Sequence, residues 1–163
     1  MYKRQNHGVQ FKDRFNQMGD YVLAMKALWT KDEAGYHGKF AKFDPVWSWP
    51  KPARKAGPPV ILGGETDYTL QRVVEYCDGW FPRPRQGFTG AGAVERLKKM
   101  AESKGRNFKD FSITVFGAPP DTSVIDEYTK AGIEYALLAV PDLGRDEILK
   151  HLDKVAPVAK AYA

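Results

Sequence analysis

The sequence has 163 residues, of which 43% are hydrophobic, 13% aromatic and 28% charged. This composition is typical of one soluble globular domain and argues against disorder, a collagen-like repeat or a coiled coil. No apolar run reaches the roughly 18 residues that a membrane-spanning helix needs, so no membrane segment is expected. The single cysteine, Cys77, excludes an internal disulfide and favours a reducing, cytoplasmic compartment.

The formal net charge of +5 would suit a nucleic-acid partner, but part of it comes from the first five residues. Residues 1–5 fit no helix, strand or cap pattern and resemble translated adaptor sequence, so we expect them to be non-native. Removing Lys3 and Arg4 from the 25 basic residues leaves 23 against 20 acidic ones. The other charges alternate along helical faces, as on a solvated surface, so no nucleic-acid partner is expected.

The first predicted elements are a helix and an insertion. Apolar residues recur at steps of three and four across residues 11–29, which predicts one apolar helix stripe: Phe15, Met18, Val22, Met25 and Trp29. Residues 31–59 are rich in glycine and proline, and we expect a short hairpin at 36–40 followed by an extended stretch. A long irregular segment of this kind is usually functional.

Four strand–helix units follow. We predict strands at residues 58–64, 78–82, 111–116 and 135–140, and helices at 66–76, 93–104, 123–132 and 146–162. The last helix should end or kink at Pro157, and the apolar last strand should be buried on both faces. This alternation implies an α/β protein with a parallel sheet. It leaves open either a doubly wound sheet or part of a (β/α) barrel, and both bind ligands at the carboxyl ends of the strands.

The end of the first of these strands carries candidate site residues: Gly63, Gly64, Glu65, Thr66 and Thr69. Paired glycines let a ligand approach the main chain, and a helix N-terminus offers N–H groups to an anion. This pattern is typical of a phosphate cradle. It is also typical of an ordinary glycine turn with a capping threonine, so both interpretations remain open.

Other candidates for chemistry are few. Arg83 and Arg85 follow the second strand of this series, where they would either clamp an anion or lie solvated in a loop. Cys77 lies on an apolar helix stripe, which favours a buried structural role over a nucleophilic one. The three histidines lack metal-ligand spacing, so no metal site is predicted: His7, His37 and His151.

An ordered set of segments resembles the luciferase-like flavin-dependent oxidoreductases, and within them the branch dependent on the deazaflavin coenzyme F420. The segments are Asp13-Arg14-Phe15, Met25-Lys26-Ala27-Leu28-Trp29, Tyr36-His37-Gly38-Lys39-Phe40, Trp49-Pro50-Lys51-Pro52, Pro58-Pro59-Val60-Ile61-Leu62-Gly63-Gly64 and Asp78-Gly79-Trp80. The specific part of the resemblance covers residues 6–84, and the strand–helix rhythm supports the remainder.

The resemblance implies a (β/α)8 barrel that binds FMN or coenzyme F420 and transfers hydride or oxygen to a small organic substrate. It places Gly63, Gly64 and Glu65, with Thr66 and Thr69, where the family holds the phosphate-bearing tail of its cofactor. Arg83 is a further candidate anion contact. The insertion at 31–59 matches one that commonly covers the active site and contributes to dimer contacts, so a homodimer is a possible assembly. The catalytic residues stay unknown, because the family's first half supplies most polar groups near the reacting atoms.

Length sharpens the expectation. A (β/α)8 barrel typically needs about 250 residues, and only four strand–helix units are predicted here. We therefore expect residues 6–163 to be the carboxyl-terminal portion of a barrel domain, inactive in isolation. Two alternatives are a non-catalytic half-barrel that dimerises and a small phosphate-binding α/β module.

Overall fold

The computed structural model describes residues 10–162. The chain divides into two compact units, the first ending at Val60 and the second beginning at Ile61. The expected adaptor residues 1–5 and His7 lie outside the described residues. Within the described part of the chain, no helix has the length and apolar character needed to cross a membrane.

The first unit is a helix followed by an antiparallel hairpin, and this hairpin is longer than the one predicted at 36–40. Its elements, after a 3₁₀ turn at Phe11–Asp13, are α1 (Arg14–Thr30), β1 (Glu33–His37) and β2 (Lys42–Trp47). The predicted apolar stripe of α1 is only partly buried: Val22 is 7% exposed, whereas Phe15 and Met25 are 38% and 40% exposed. The irregular stretch after β2 contacts the end of α1. There the Lys51 ammonium donates hydrogen bonds to the carbonyls of Leu28 and Lys31.

Asp20 of α1 fixes the hairpin turn. Its carboxylate accepts hydrogen bonds from the Tyr36 hydroxyl at 2.7 Å and from the main-chain amides of Phe40 and Ala41. These bonds, the one from Tyr36 first, lower the pKa of Asp20. The same contact raises the pKa of Tyr36 to about 12. The hairpin is therefore attached to the helix through a polar contact.

The second unit is a four-stranded parallel sheet with helices between successive strands. In chain order its elements are β3 (Ile61–Gly63), α2 (Asp67–Tyr76), β4 (Gly79–Phe81), α3 (Gly90–Ser103), β5 (Ser112–Ala118), α4 (Thr122–Ala131), β6 (Tyr135–Leu138) and α5 (Arg145–Ala161). The strand order is β3-β4-β5-β6, and all three pairings are parallel. The four predicted strand–helix units are confirmed.

One face of this sheet, here called the covered face, forms the core. Trp80, Ile113 and Val115 project from it and are at most 1% exposed. Helices supply buried apolar partners to the same core, among them Leu70 of α2 and Leu97 of α3. Cys77 is also fully buried, as its position on an apolar stripe predicts.

The opposite face, here called the open face, carries exposed apolar side chains together with the hydroxyl side chains of Ser112 and Thr114, of which Thr114 is buried. Ile61, Phe116, Tyr135 and Leu137 project from it and are 44–61% exposed. Strand register places them together, since Phe116 pairs with Leu137 and side chains alternate between faces along each strand. The sheet is therefore covered by its helices on one face only.

Several predicted bounds in the second unit need correction. Helix α3 begins at Gly90 rather than residue 93, because Thr89 caps it. Helix α5 runs through Pro157 to Ala161 instead of ending there. The expected burial of β6 on both faces is wrong: Tyr135 is 61% exposed, because β6 is an edge strand with one side chain in two on the open face.

Candidate functional site

The β3–α2 loop, formed by Gly64, Glu65 and Thr66 directly after Gly63 at the end of β3, brings most of the predicted site residues together. Gly64 has φ +128°, a backbone conformation that side chains rarely tolerate. A Cβ on Gly64 would lie 2.7 Å from the Thr69 Oγ1 atom, which is too close for any other residue without movement. The glycine therefore leaves room beside the Thr69 hydroxyl.

Two threonine hydroxyls lie at the start of α2. Thr66 is the N-cap residue, and its Oγ1 accepts a hydrogen bond from the Thr69 amide at 3.2 Å. The two Oγ1 atoms are 3.1 Å apart and share a hydrogen bond. The first turn of a helix carries N–H groups without intrahelical partners and the positive end of the helix dipole. The loop thus gathers hydroxyl donors at a terminus that favours anions.

Glu65, the acidic residue of the loop, points its carboxylate toward the β4–α3 segment. Its Oε1 accepts a hydrogen bond from the Arg83 amide at 3.3 Å, and its Oε2 lies 3.8 Å from the Arg85 Nε. The Arg83 guanidinium instead stands over the Phe116 ring, 5.4 Å from its centroid. The main chain of Arg83 therefore adjoins the loop, while its side chain lies toward the open face.

Two further residues hold this loop, and the sequence analysis missed both. The Trp80 indole N–H donates to the Gly64 carbonyl at 2.7 Å, and Arg96 donates to the Glu65 carbonyl at 2.9 Å. Arg96 lies 31 positions after Glu65, so no local pattern could reveal the contact. Trp80 belongs to the Asp78-Gly79-Trp80 segment of the family resemblance, which was the only signal for it.

A cavity of about 280 Å³ lies beside the loop. It is lined by Glu65, Trp80, Phe88, Thr89 and Arg96, among others. One side of the cavity is therefore the loop itself and the other is the start of α3. The walls combine two aromatic residues with one arginine, one threonine and one acidic residue, Glu65.

The start of α3 already holds an anion from the protein. The Glu127 carboxylate of α4 accepts hydrogen bonds from the amides of Gly90 and Ala91, both at 3.0 Å. Thr89 caps this helix by accepting from the Gly92 amide at 3.1 Å. Helices α2 and α3 are thus each capped by a threonine, and the first amides of α3 in addition bind the Glu127 carboxylate. Within residues 10–162, no cluster of three or more His, Cys, Asp or Glu is placed to hold a metal ion.

A parallel sheet of β/α units with a glycine-bearing loop at the carboxyl end of a strand defines the α/β class, in which ligand sites lie at this edge of the sheet. The family follows from comparison. Residues 3–121 match the model described as luciferase-like monooxygenase, and the chain belongs to this family.

Relatives of this chain agree with that assignment. It is 28% identical over 151 residues to an uncharacterized protein of Mycobacterium tuberculosis, covering 93% of this chain and 53% of that protein. It is 24% identical over 94 residues to an FMNH2-dependent dimethylsulfone monooxygenase of Pseudomonas putida, covering 58% of this chain and 24% of the enzyme. The chain therefore spans about half the length, or less, of these relatives.

The fold matches solved structures of the same kind. An F420-dependent secondary alcohol dehydrogenase, solved with an F420–acetone adduct, superimposes with a TM-score of 0.65 at 12% identity. The match covers 92% of this chain and 63% of the dehydrogenase. The resemblance to the luciferase-like family and the α/β class with a parallel, barrel-type sheet are both confirmed.

Proposed function

We propose that this chain supplies the cofactor-phosphate half of a flavin- or deazaflavin-dependent oxidoreductase barrel. The observation that carries the proposal is the β3–α2 loop, where Gly64 leaves space beside the Thr69 hydroxyl at a helix N-terminus. The named relatives support a phosphate ligand, because one uses FMNH2 and another uses F420. Both cofactors carry a phosphate group in the tail attached to their ring system.

The residues of the loop fit a phosphate group. Gly63 and Gly64 allow close approach of the main chain. The Thr66 and Thr69 hydroxyls share one hydrogen bond, which leaves one of the two protons free to be donated to a phosphate. The amides that open α2 add donors and a favourable dipole. The Glu65 carboxylate, which would repel a phosphate, lies 3.8 Å from Arg85. We propose that these residues bind the phosphate and that Arg83 contributes a further positive charge nearby.

When bound, the cofactor would supply hydride or oxygen transfer to a small organic substrate. The chain's own residues would bind the cofactor by its tail and so fix the position of the ring. The apolar open face, with Ile61, Phe116 and Leu137, would exclude water from the space that it borders. We assign no catalytic residue to this chain and expect no turnover from it in isolation.

Comparing FMN with riboflavin tests the phosphate contact, because the two ligands differ only in the phosphate. We expect the unmodified chain to bind FMN more tightly than riboflavin by fluorescence titration. Thr69→Val should remove most of this preference, since the change deletes the hydroxyl beside Gly64 while keeping the side-chain shape. Thr129→Val is the matched control: it removes a threonine hydroxyl from α4, where that hydroxyl donates to the Ile125 carbonyl.

Each result bears on the proposal. Equal affinity for FMN and riboflavin in the unmodified chain would contradict it, as would an equal loss of preference in the Thr69 and Thr129 variants. If the chain is a monomer that binds inorganic phosphate tightly but binds neither FMN nor riboflavin, a small phosphate-binding module is favoured instead.

The open face favours a second candidate function, a non-catalytic half-barrel that pairs with a copy of itself. Strands β3 and β6 form the edges of the sheet, and the face between them exposes apolar side chains. Two such sheets would together contain the eight strands of a closed barrel. Sedimentation analysis tests this: a stable dimer without flavin affinity would support it, and a monomer across all protein concentrations would exclude it.

A further inference from the structure

We infer that Arg96 is a positioning residue that both orients and electrically neutralises the β3–α2 loop for an anion. The inference rests on the phosphate cradle proposed above. The Arg96 Nη2 atom donates to the Glu65 carbonyl at 2.9 Å and lies 2.8 Å from the Asp67 Oδ1. One guanidinium of α3 therefore contacts both the loop and the first turn of α2.

The first role concerns the direction of the loop amides. The carbonyls of Gly64 and Glu65 are bound by Trp80 and by Arg96, whose guanidinium lies 6.0 Å from the centroid of the Trp80 ring. Both peptide bonds are trans, and in a trans peptide the next N–H points opposite to the carbonyl. The amides of Glu65 and Thr66 are consequently turned away from Trp80 and Arg96. Successive amides directed to one side form an anion-binding concavity.

The second role concerns charge. Asp67 is the acidic residue in the first turn of α2, where its carboxylate would repel a bound phosphate. The 2.8 Å contact with Arg96 pairs this carboxylate with a positive charge. Glu65, the neighbouring acid, has Arg85 at 3.8 Å. With both acids paired, the loop presents amides and hydroxyls without an unpaired negative charge among these side chains.

Arg106, which follows the end of α3 at Ser103, provides a matched control. Its Nη1 donates to the carbonyls of Val74 and Cys77 at 3.0 and 3.1 Å, and its guanidinium packs over the Phe111 ring. Arg106 thus binds main-chain carbonyls at the C-terminal end of α2, whereas Arg96 contacts the loop before α2. Removing Arg106 should affect stability without affecting an anion at the N-terminus.

The test measures dissociation constants for inorganic phosphate by calorimetry and for FMN, coenzyme F420 and riboflavin by fluorescence, alongside thermal midpoints. Inorganic phosphate, FMN and coenzyme F420 all present a phosphate group. Comparing their dissociation constants shows whether the loop prefers a free phosphate or one attached to a cofactor. We expect Arg96→Ala to weaken binding of the phosphate ligands by about tenfold and to leave riboflavin unchanged. Arg106→Ala should lower the thermal midpoint about as much as Arg96→Ala does, and it should keep phosphate affinity within about twofold.

Two more variants separate the roles and guard against misfolding. Arg96→Lys retains the charge but not the planar fork, so it should fold and lose part of the affinity. Adding Asp67→Asn to Arg96→Ala should restore part of the lost phosphate affinity, since it removes the repelling carboxylate. Complete restoration would overturn the orienting role, and no restoration would overturn the neutralising role.

The outcomes also separate this inference from the proposed function. If the unmodified chain binds none of the phosphate ligands, the cradle itself is wrong and the role of Arg96 fails with it. If the chain binds them and Arg96→Ala binds equally well, only the role of Arg96 is overturned. The same conclusion follows if Arg106→Ala loses as much affinity as Arg96→Ala.

Discussion

Both faces of the parallel sheet carry apolar side chains, but these side chains are buried on one face and exposed on the other. On the covered face, Trp80, Ile113 and Val115 are at most 1% exposed, while on the open face Ile61, Tyr135 and Leu137 are 44–61% exposed. Apolar side chains stabilise a fold only to the extent that they leave water. The apolar contribution to the stability of this unit therefore comes mainly from the covered face. The exposed side chains of the open face contribute less, because they remain in contact with water. Five predictions follow, beginning with the largest effect.

The largest effect should come from truncating one isoleucine on each face. Ile113→Ala should lower the free energy of unfolding by about 2–5 kcal/mol, because it leaves a cavity in the covered core. Ile61→Ala should lower it by less than about 1 kcal/mol, because Ile61 is 44% exposed. Urea unfolding followed by circular dichroism measures both. Equal losses would mean that the open face is buried in solution, and a dependence on protein concentration would identify self-association as the cause.

The next effect concerns Gly64, which directly follows the end of β3. Gly64→Ala should destabilise the chain by about 1–3 kcal/mol, because it combines a strained φ with a 2.7 Å approach to Thr69 Oγ1. Gly87→Ala is the control, since Gly87 also has positive φ but no atom within 4 Å of its added Cβ. Unfolding should be measured for both variants. A loss at Gly64 no larger than that at Gly87 would show that the close approach to Thr69 is relieved at no cost.

A smaller effect is expected at Tyr76, in the helical layer over the covered face. Its hydroxyl is buried without a hydrogen-bond partner among the described residues, and burial raises its pKa to about 12. Tyr76→Phe should leave stability unchanged or raise it by up to about 1 kcal/mol near neutral pH. Tyr36→Phe should instead destabilise, because the Tyr36 hydroxyl donates to Asp20 at 2.7 Å.

The pH dependence of Tyr76 has a definite sign. Its folded pKa of about 12 lies above the ordinary value of 10.0. The folded state therefore holds the phenolic proton more tightly than the unfolded chain does, and stability falls as pH rises from 10 towards 12. Urea midpoints across this range should fall less steeply for Tyr76→Phe than for the unmodified chain. Parallel slopes would contradict the assigned burial of this hydroxyl.

The smallest change in stability should come from a charge on the open face. Leu137→Lys should alter the free energy of unfolding by no more than about 0.5 kcal/mol, because Leu137 is 44% exposed. It should nevertheless weaken any self-association through this face, which sedimentation velocity would detect. Leu138→Lys, on the neighbouring but half-buried position, should be more destabilising. Unfolding by Leu137→Lys alone would remove the distinction between the two faces.

The sequence predicted those features that local patterns encode. Helix α2 was located closely because apolar residues recur at helical spacing after the Thr66 cap. The start of α3 was placed late because Gly90 and Gly92 carry no side chain to extend the apolar pattern. The burial of β6 was overestimated because an apolar run indicates where a strand would be stable, and cannot indicate whether this chain supplies the second layer.

The candidate site was predictable only in part for a related reason. The glycines and threonines of the loop are adjacent in sequence, so their pattern indicated an anion site. Trp80 and Arg96 reach the same loop from β4 and α3, through contacts between residues 16 and 31 positions apart. Such contacts depend on the packing of neighbouring strand–helix units and leave no spacing to detect.

The Glu127 carboxylate of α4 binds the first amides of α3, so the start of α3 depends on the strand–helix unit that follows it in the chain. Helix α4 holds the start of α3, and α3 in turn carries the guanidinium that contacts the loop before α2. Each unit is thus a support for the one before it in the chain, rather than an interchangeable module. Grafting the β3–α2 unit alone onto another scaffold would transfer its glycines and hydroxyls but not the rigidity that they receive from the two units that follow.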